Sequence, residues 1–366
     1  MFSNIYAGRR VLITGHTGFK GSWLTSWLLE LGAQVAGLSI GSPSKPCNFE
    51  VLGLGERIKH FQGDVSNPAV VKEVFLQFKP EIVFHLAAQA LVRRSYKQPY
   101  ETFMTNAIGS LNVLEASRST PSVRAIVVVT SDKCYQNVEW NWGYRETDRL
   151  GGDDPYSASK ACAEIISHSY IKSFFRVTEG APSVATARAG NVIGGGDWAE
   201  DRIVPDCMRS WSKDLPVKIR NPNSTRPWQH VLEPLSGYLQ LGSELWQHPA
   251  AIHGKSFNFG PDSTVNEPVS KLIEKLANFW PQARWEYELP QGHKEHEANL
   301  LKLCCDQALV ELAWLPTMDF TTTVQLTGEW YQSYFSKRSE DMVKIMSDQI
   351  SVYCDKAKSR GYIWVK

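Results

Sequence analysis

Tyr156 and Lys160 stand four residues apart in Asp154-Pro155-Tyr156-Ser157-Ala158-Ser159-Lys160. If the stretch is helical, the phenol and the ammonium share one face, one turn apart. A phenol with an ordinary pKa of about 10 is a poor base at neutral pH, and a neighbouring ammonium favours its phenolate. Tyr156 would then take a proton from a substrate hydroxyl. A Tyr-x-x-x-Lys pair alone more often marks a solvated helix face, so its weight comes from its company. Upstream, the apolar run Ala125–Thr130 is followed by a hydroxyl, a carboxyl and an amine: Ser131, Asp132 and Lys133. Ser131 is suited to share the hydroxyl proton with Tyr156, while Asp132 and Lys133 would supply the acid and base of a second chemical step. A plain surface turn after a strand is the competing reading of the same residues.

Thr14-Gly15-His16-Thr17-Gly18-Phe19-Lys20-Gly21 is the second feature with a chemical use. It lies between the apolar run Val11–Ile13 and a stretch with apolar residues at helical spacing. There Gly15 permits a tight turn, Gly18 a close backbone approach to a pyrophosphate and Gly21 close packing of helix on strand. The free amides of the first helical turn then face the anion. His16 and Lys20 would add positive charge beside phosphates or stand as solvated surface. An acidic residue expected roughly 20 positions on, to bind a ribose hydroxyl, is missing: Ile40 is followed by Gly41-Ser42-Pro43-Ser44, with no arginine for a 2′-phosphate either. The residues thus leave NAD and NADP open. Asp64, in Gly63-Asp64-Val65, reads from its residues alone as an Asx turn before the next helix.

These residues need a scaffold that gathers strand ends. Val11–Ile13, Gln34–Ile40, Ile58–Gln62, Ile82–Ala87, Ala125–Thr130 and Val184–Ala189 read as strands. Amphipathic stretches separate most of them, the pattern of parallel strands with crossover helices on both faces. Asn67 and Pro68 read as the N-cap and first residue of one such helix, with Val70, Val71, Val74, Phe75 and Phe78 as its buried stripe. The expected fold is α/β: a Rossmann-like doubly wound parallel sheet over residues 1–189, and a smaller mixed α/β substrate lobe over 190–366, interleaved at the boundary. The segment 131–154, rich in Gly, Asp, Trp and Asn, reads as an exposed loop. Helices are expected near Val231–Leu245, Val269–Phe279 and Met342–Tyr353.

The chain has 366 residues, with 39 Lys plus Arg against 38 Asp plus Glu and a charged fraction of 21%. That balance argues against disorder and against a basic nucleic-acid surface. Seven scattered cysteines with no CxxC suit a reducing compartment better than a disulfide framework or a zinc site. No apolar run approaches the roughly 18 residues of a membrane helix, and the N-terminus has no secretory pattern. The expectation is a cytoplasmic protein with no metal, nucleic acid or membrane partner.

The glycine spacing, with two residues between the first pair, resembles the extended branch of the short-chain dehydrogenase/reductase superfamily. The likeness sharpens around Thr130-Ser131-Asp132-Lys133-Cys134-Tyr135, Trp142-Gly143-Tyr144-Arg145-Glu146 and Asp154-Pro155-Tyr156-Ser157. It continues through Arg188-Ala189-Gly190-Asn191, Gly194-Gly195-Gly196-Asp197-Trp198, Asp201-Arg202-Ile203-Val204-Pro205 and Arg226-Pro227-Trp228-Gln229-His230-Val231. Together these resemble the CDP-glucose branch of the nucleotide-sugar 4,6-dehydratases. The resemblance implies oxidation at C4 of a nucleotide-linked glucose, loss of water across C5 and C6, and hydride return to C6, within deoxysugar synthesis for surface polysaccharide such as O-antigen. It implies NAD, held by Gly15, His16, Gly18, Phe19, Gly21, Asp64, Val65, Leu86, Ala87 and Gln89 together with Tyr156 and Lys160. Asn191, Arg202 and Arg226 are implied to hold the substrate, and a homodimer or dimer of dimers is implied through helices after the fourth and fifth strands. The sequence departs from most such dehydratases at Lys133, where they carry Glu. A lysine of ordinary pKa about 10 must lose its charge before it can accept the C5 proton, which burial beside Lys160 would favour; pairing with a phosphate or the cofactor amide is its competing role. Nothing in composition or spacing separates cytosine from uracil or thymine. A 4-epimerase would need Tyr156 and Lys160 but not Asp132, and a non-catalytic dinucleotide sensor would need neither.

Overall fold

The computed structural model describes residues 1–288, 300–336 and 342–366. Seven strands form one parallel sheet: β1 (Arg10–Thr14), β2 (Gln34–Ser39), β3 (Lys59–Gln62), β4 (Ile82–His85), β5 (Ala125–Val129), β6 (Ser183–Ala189) and β7 (Ser256–Phe259). Their spatial order is β7-β6-β5-β4-β1-β2-β3. The order reverses between β1 and β4, and at such a switch point the strand ends leave a crevice for a ligand. β1, β4 and β5 are buried almost throughout, as the continuous apolar runs demand of strands covered on both faces.

Alternate side chains of each strand feed two cores. Val11, Ile13, Ile82, Phe84, Ala125 and Val127 face one layer, built on α1 (Phe19–Glu30). Leu12, Val83, Ile126 and Val128 face the other, with α2 (Pro68–Phe78) and α3 (Gly109–Arg118). Asn67 caps α2 by accepting from the amides of Ala69 and Val70, with Pro68 in the first turn as expected. α4 (Pro155–Tyr170) also lies on that second layer and ends in a single π turn, Ile171–Phe175.

The C-terminal half contributes α5 (Ile203–Trp211), α6 (Leu232–Gln247), α7 (Val269–Ala277), α8 (Phe320–Phe335) and α9 (Met342–Ser359). α6 packs beneath β5 and β6, and the chain then returns to add β7 beside β6. α9 lies over α1, where Trp27 meets Tyr353 edge to face at 5.8 Å. This explains why residues 21–28 of α1 are buried all round rather than on one stripe.

The segment 131–154 is not simply the exposed loop that its Gly, Asp and Asn content suggested. Cys134, Tyr135 and Tyr144 are buried in a small cluster with Ala161 of α4. Bridges of Tyr135 to Leu150 and Tyr144 to Leu303 tie it down, while Trp142 stays in solvent. The apolar residues spaced along this polar stretch outweigh its turn-forming composition.

Candidate active site

The glycine turn after β1 has the shape of an anion cradle. Gly15 has φ +76°, and a Cβ there would come within 2.8 Å of the Ala87 backbone beyond β4. A Cβ at Gly21 would fall 2.2 Å from the Gly15 carbonyl, so helix and turn touch only because residue 21 is glycine. Gly18 caps α1 without a side-chain hydrogen bond, leaving the first-turn amides for a ligand. The amides of Leu86 and Ala87 are held by Thr14, which fixes the β4 edge of the crevice. These residues fit a dinucleotide pyrophosphate.

Two cradle side chains depart from what the sequence offered. His16 is fully buried against Gly37 of β2, with Nε2 2.7 Å from Nδ1 of His60. Burial and the neighbouring imidazole push its pKa down to about 3, so it brings no positive charge to a phosphate. Lys20 is likewise not solvated surface: its Nζ lies 3.4 Å from the Tyr238 hydroxyl of α6. Asp64 accepts from the Ser66 amide at 2.8 Å, an Asx turn, with its side chain in solvent. Val65 beside it is buried against Gly109. Gln89 bonds Leu91 and Thr102 through its side-chain amide, and Asn106 holds its backbone.

At the end of β5, Ser131, Asp132 and Tyr156 come together in a buried group. Asp154 caps α4 through the Ser157 amide at 2.9 Å, which sets Tyr156 in the first turn. Ser131 donates to Asp132 Oδ1 at 2.9 Å and hydrogen-bonds the Tyr156 phenol. Gly190 leaves room for the carboxyl, since a Cβ there would meet Asp132 Oδ2 at 3.1 Å. Burial raises the Asp132 pKa against the pull of Lys133, Ser131 and Lys20, the direction an acid needs. Burial also pushes Tyr156 up to about 12 despite the Ser131 hydrogen bond. The sequence suggested the reverse; in the protein alone desolvation outweighs the neighbours, and the Lys160 ammonium is turned to the Val129 carbonyl at 3.2 Å. Burial brings Lys160 down to about 8, with Glu164 resisting. Lys133 is half-buried on the turn Asp132–Cys134, whereas Lys160 is buried.

Beneath these groups lies an ion pair that the sequence did not disclose. Glu164, one turn below Lys160, meets Arg188 of β6 at 2.8 Å with both side chains 3% exposed. Thr130 and Thr186 also donate to Glu164, and Arg188 reaches the Tyr135 hydroxyl at 2.7 Å. The pair joins β5, α4 and β6, and the only sequence signal was an acid four residues after Lys160 facing a strand arginine.

On the substrate side, Arg202 precedes α5 and pairs with Asp197 at 2.9 Å, near enough to Tyr156 to bear on its charge. Asn191 follows β6 and accepts from the Gln229 amide through its carbonyl. Arg226 is half-buried on the short strand Thr225–Arg226, paired with Glu267 across the antiparallel bridge.

The chain matches the model of the family described as GDP-mannose 4,6-dehydratase over residues 12–243. It is 44% identical to CDP-glucose 4,6-dehydratase of Salmonella typhimurium, across 96% of this chain and 97% of that one. It belongs to the nucleotide-sugar 4,6-dehydratase family. A dTDP-glucose 4,6-dehydratase of Neisseria meningitidis is 24% identical over 88% of this chain and 93% of its own. Among solved structures, dTDP-glucose 4,6-dehydratase of Bacillus anthracis in complex with NAD aligns with TM-score 0.74 at 19% identity, over 92% of this chain and all of that one. UDP-glucose 4-epimerase of Thermotoga maritima aligns with TM-score 0.75 at 24% identity, over 89% and 99%. These two carry the fold. A dehydratase and an epimerase thus share this scaffold.

Proposed function

We propose that this member of the 4,6-dehydratase family is an NAD-dependent hydro-lyase that converts CDP-glucose to CDP-4-keto-6-deoxyglucose. The carrying observation is the buried Ser131–Asp132–Tyr156 group, with a carboxyl whose pKa burial raises. The 44% likeness to the Salmonella CDP-glucose enzyme supports the choice of nucleotide. A 4-epimerase has no use for that acid.

Bound NAD supplies the acceptor that takes hydride from C4 and returns it to C6. The cradle of Gly15, Gly18 and Gly21 would hold its pyrophosphate, with Phe19 at the helix start. Asp64, Val65, Leu86, Ala87 and Gln89 would line its path toward the adenine and nicotinamide ends. Lys160 holds the ribose, and His16 contributes main chain. Arg202 and Arg226 would clamp the substrate diphosphate together with Asn191, and Arg202 would share its charge with Asp197. Residues 1–189 hold the dinucleotide and 190–366 the nucleotide sugar.

Tyr156 takes the O4 proton, and Ser131 passes a hydrogen bond to the same oxygen. The new C4 ketone makes the C5 hydrogen acidic. Lys133 removes it while Asp132 gives its proton to O6, which leaves as water. Lys133 then returns the proton to C5. The O4 proton taken by Tyr156 balances the one Asp132 gives.

The exposed Tyr100, Ile165 and Phe174 lie on the helices after β4 and β5 and support a homodimer through that face. Among the described residues no helix is long and apolar enough to cross a membrane, and all seven cysteines are free, which suits work in the cytoplasm. Incubation of the protein and NAD with CDP-, dTDP-, UDP- and GDP-linked hexoses tests the assignment. A product lighter by one water with a 4-keto chromophore in alkali is expected from CDP-glucose, and its absence there rejects the reading.

A further inference from the structure

The reaction above uses Ser131, Asp132, Tyr156 and Lys160 and gives no task to Thr130, the residue between β5 and Ser131. Along β5, Val127 and Val129 face the layer of α1, Ile126 and Val128 the layer of α4, and Thr130 continues the second set. Its buried hydroxyl donates to Glu164 Oε1 of α4. Glu164 is itself fixed from β6: Arg188 donates to Oε1 through Nε at 2.9 Å and to Oε2 through Nη2 at 2.8 Å, and Thr186 donates to Oε2 at 2.8 Å. Thr130 is thus tied to a carboxylate that cannot move with it. Tyr156, Lys160 and Glu164 recur at every fourth residue of α4 and share one face. Against that face the chain leaving β5 sets the Val129 carbonyl, which accepts from Lys160 at 3.2 Å, then the Thr130 hydroxyl on Glu164, then Ser131 at the Tyr156 phenol. The Thr130 amide still donates to the Ala187 carbonyl of β6 at 2.9 Å. Past it the chain leaves the sheet for the turn Asp132–Cys134, which Ser131 caps by accepting from the Lys133 amide at 3.2 Å.

Resting on the reaction above, we infer that Thr130 is a positioning residue: its hydroxyl, bound to Glu164, fixes where β5 delivers Ser131 to the Tyr156 phenol and the O4 of the sugar. A valine would serve the sheet equally well, with the same shape and a strong strand preference, so the use of the hydroxyl is the bond to Glu164. Ser131 stands where the peptide turns out of the sheet, and its one hydroxyl proton goes to Asp132 in the free protein. To reach O4 as well, its oxygen must be placed within a fraction of an ångström, and a misplacement of about 1 Å costs about a hundredfold in rate. Lys160 cannot secure this alone, because the reaction gives it the ribose to hold besides the Val129 carbonyl. Thr186 bonds the same carboxylate from β6, which does not carry Ser131, and so supplies the contrast that separates positioning from general support.

A double-mutant cycle tests this, in single turnovers with CDP-glucose followed by the near-ultraviolet band of reduced nicotinamide, whose rise reports C4 oxidation. In Thr130→Val the rise is expected to slow about tenfold to a hundredfold, while the concentrations of NAD and CDP-glucose that half-saturate it stay within about threefold of wild type. Thr130→Ser, which keeps the hydroxyl, should bring the rate back to within about threefold, and Thr186→Val should stay inside the same range. In a Ser131→Ala background, Thr130→Val should cost less than about threefold more, because a residue that acts through Ser131 then has nothing to position. Losses that multiply in the double variant, a Thr186→Val as slow as Thr130→Val, or no recovery in Thr130→Ser overturn the inference. If Thr130→Val does not fold, Thr130→Ala carries the same cycle. Wild-type turnover of CDP-glucose together with any of those three results sinks the Thr130 role alone; no turnover by the wild type sinks both.

Discussion

Tyr156 owes its position to local chemistry. Asp154 caps the helix, Pro155 fits its first turn, and the phenol emerges beside Ser131. Its buried neighbours hold it protonated in the free protein, so catalysis must begin only when substrate and cofactor change that balance. Tyr156→Phe should reduce C4 oxidation by about 10²–10⁴-fold, the usual range for a lost general base, with binding of CDP-glucose little changed. Rapid-mixing measurement of reduced nicotinamide, together with calorimetric titration of the substrate, checks both halves. Asp132→Asn should separate the steps differently: oxidation persists, and no water is lost. Detection of the 4-keto hexose still carrying its C6 hydroxyl would be the signature; normal dehydration by that variant would remove Asp132 from the mechanism.

The elements are held in register by the pair beneath the site. Burial would raise the Glu164 pKa, but the charge of Arg188 and the hydrogen bonds from Arg188, Thr130 and Thr186 prevail and hold it below the usual carboxylate range. A depressed carboxylate contributes stability above its unfolded pKa, and that contribution is lost as pH falls through its folded value. Glu164→Ala leaves Arg188 buried without its partner and should cost about 3–5 kcal/mol, measured by denaturant unfolding. It should also lower turnover, because α4 carries both Tyr156 and Lys160. β4 and β5 were legible because their runs are continuous and apolar, and the cap of α4 because Asp154-Pro155 is an explicit start signal. Glu164 and Arg188 were not, since a pairing between a helix and a strand two elements away leaves no periodicity. The same holds for Lys20: its place beside glycines suggested phosphate, and only the position of Tyr238 on α6 shows where its chain goes. His16 looked like a cradle cation for the same reason, until β2 and β3 closed over it.

Across the whole molecule, another buried carboxyl fastens the C-terminus. Glu233, at the start of α6, accepts from the amides of Thr317 and Met318 at 2.9 and 2.6 Å and from the Tyr353 hydroxyl of α9 at 2.9 Å. Burial pushes its pKa up to about 7 against those hydrogen bonds. A raised carboxyl contributes stability that is full below its unfolded pKa, near 4.5, and is lost as pH rises through about 7. Unfolding free energies measured from about pH 5 to pH 8 should therefore decline by an amount of order 3 kcal/mol from this group, and Glu233→Gln should flatten that part of the curve. An unchanged slope in the variant would assign the decline elsewhere.

The seventh strand adds a constraint on how such a chain is made. β7 reaches β6 only after α6 has been laid under the sheet, so a ribosome releases the β6 edge well before its partner exists. During that interval the emerging protein carries an open row of amides and carbonyls, and a premature stop before Ser256 would make the interval permanent. Truncations there should be lost to association or proteolysis rather than accumulate as a working dinucleotide-binding half.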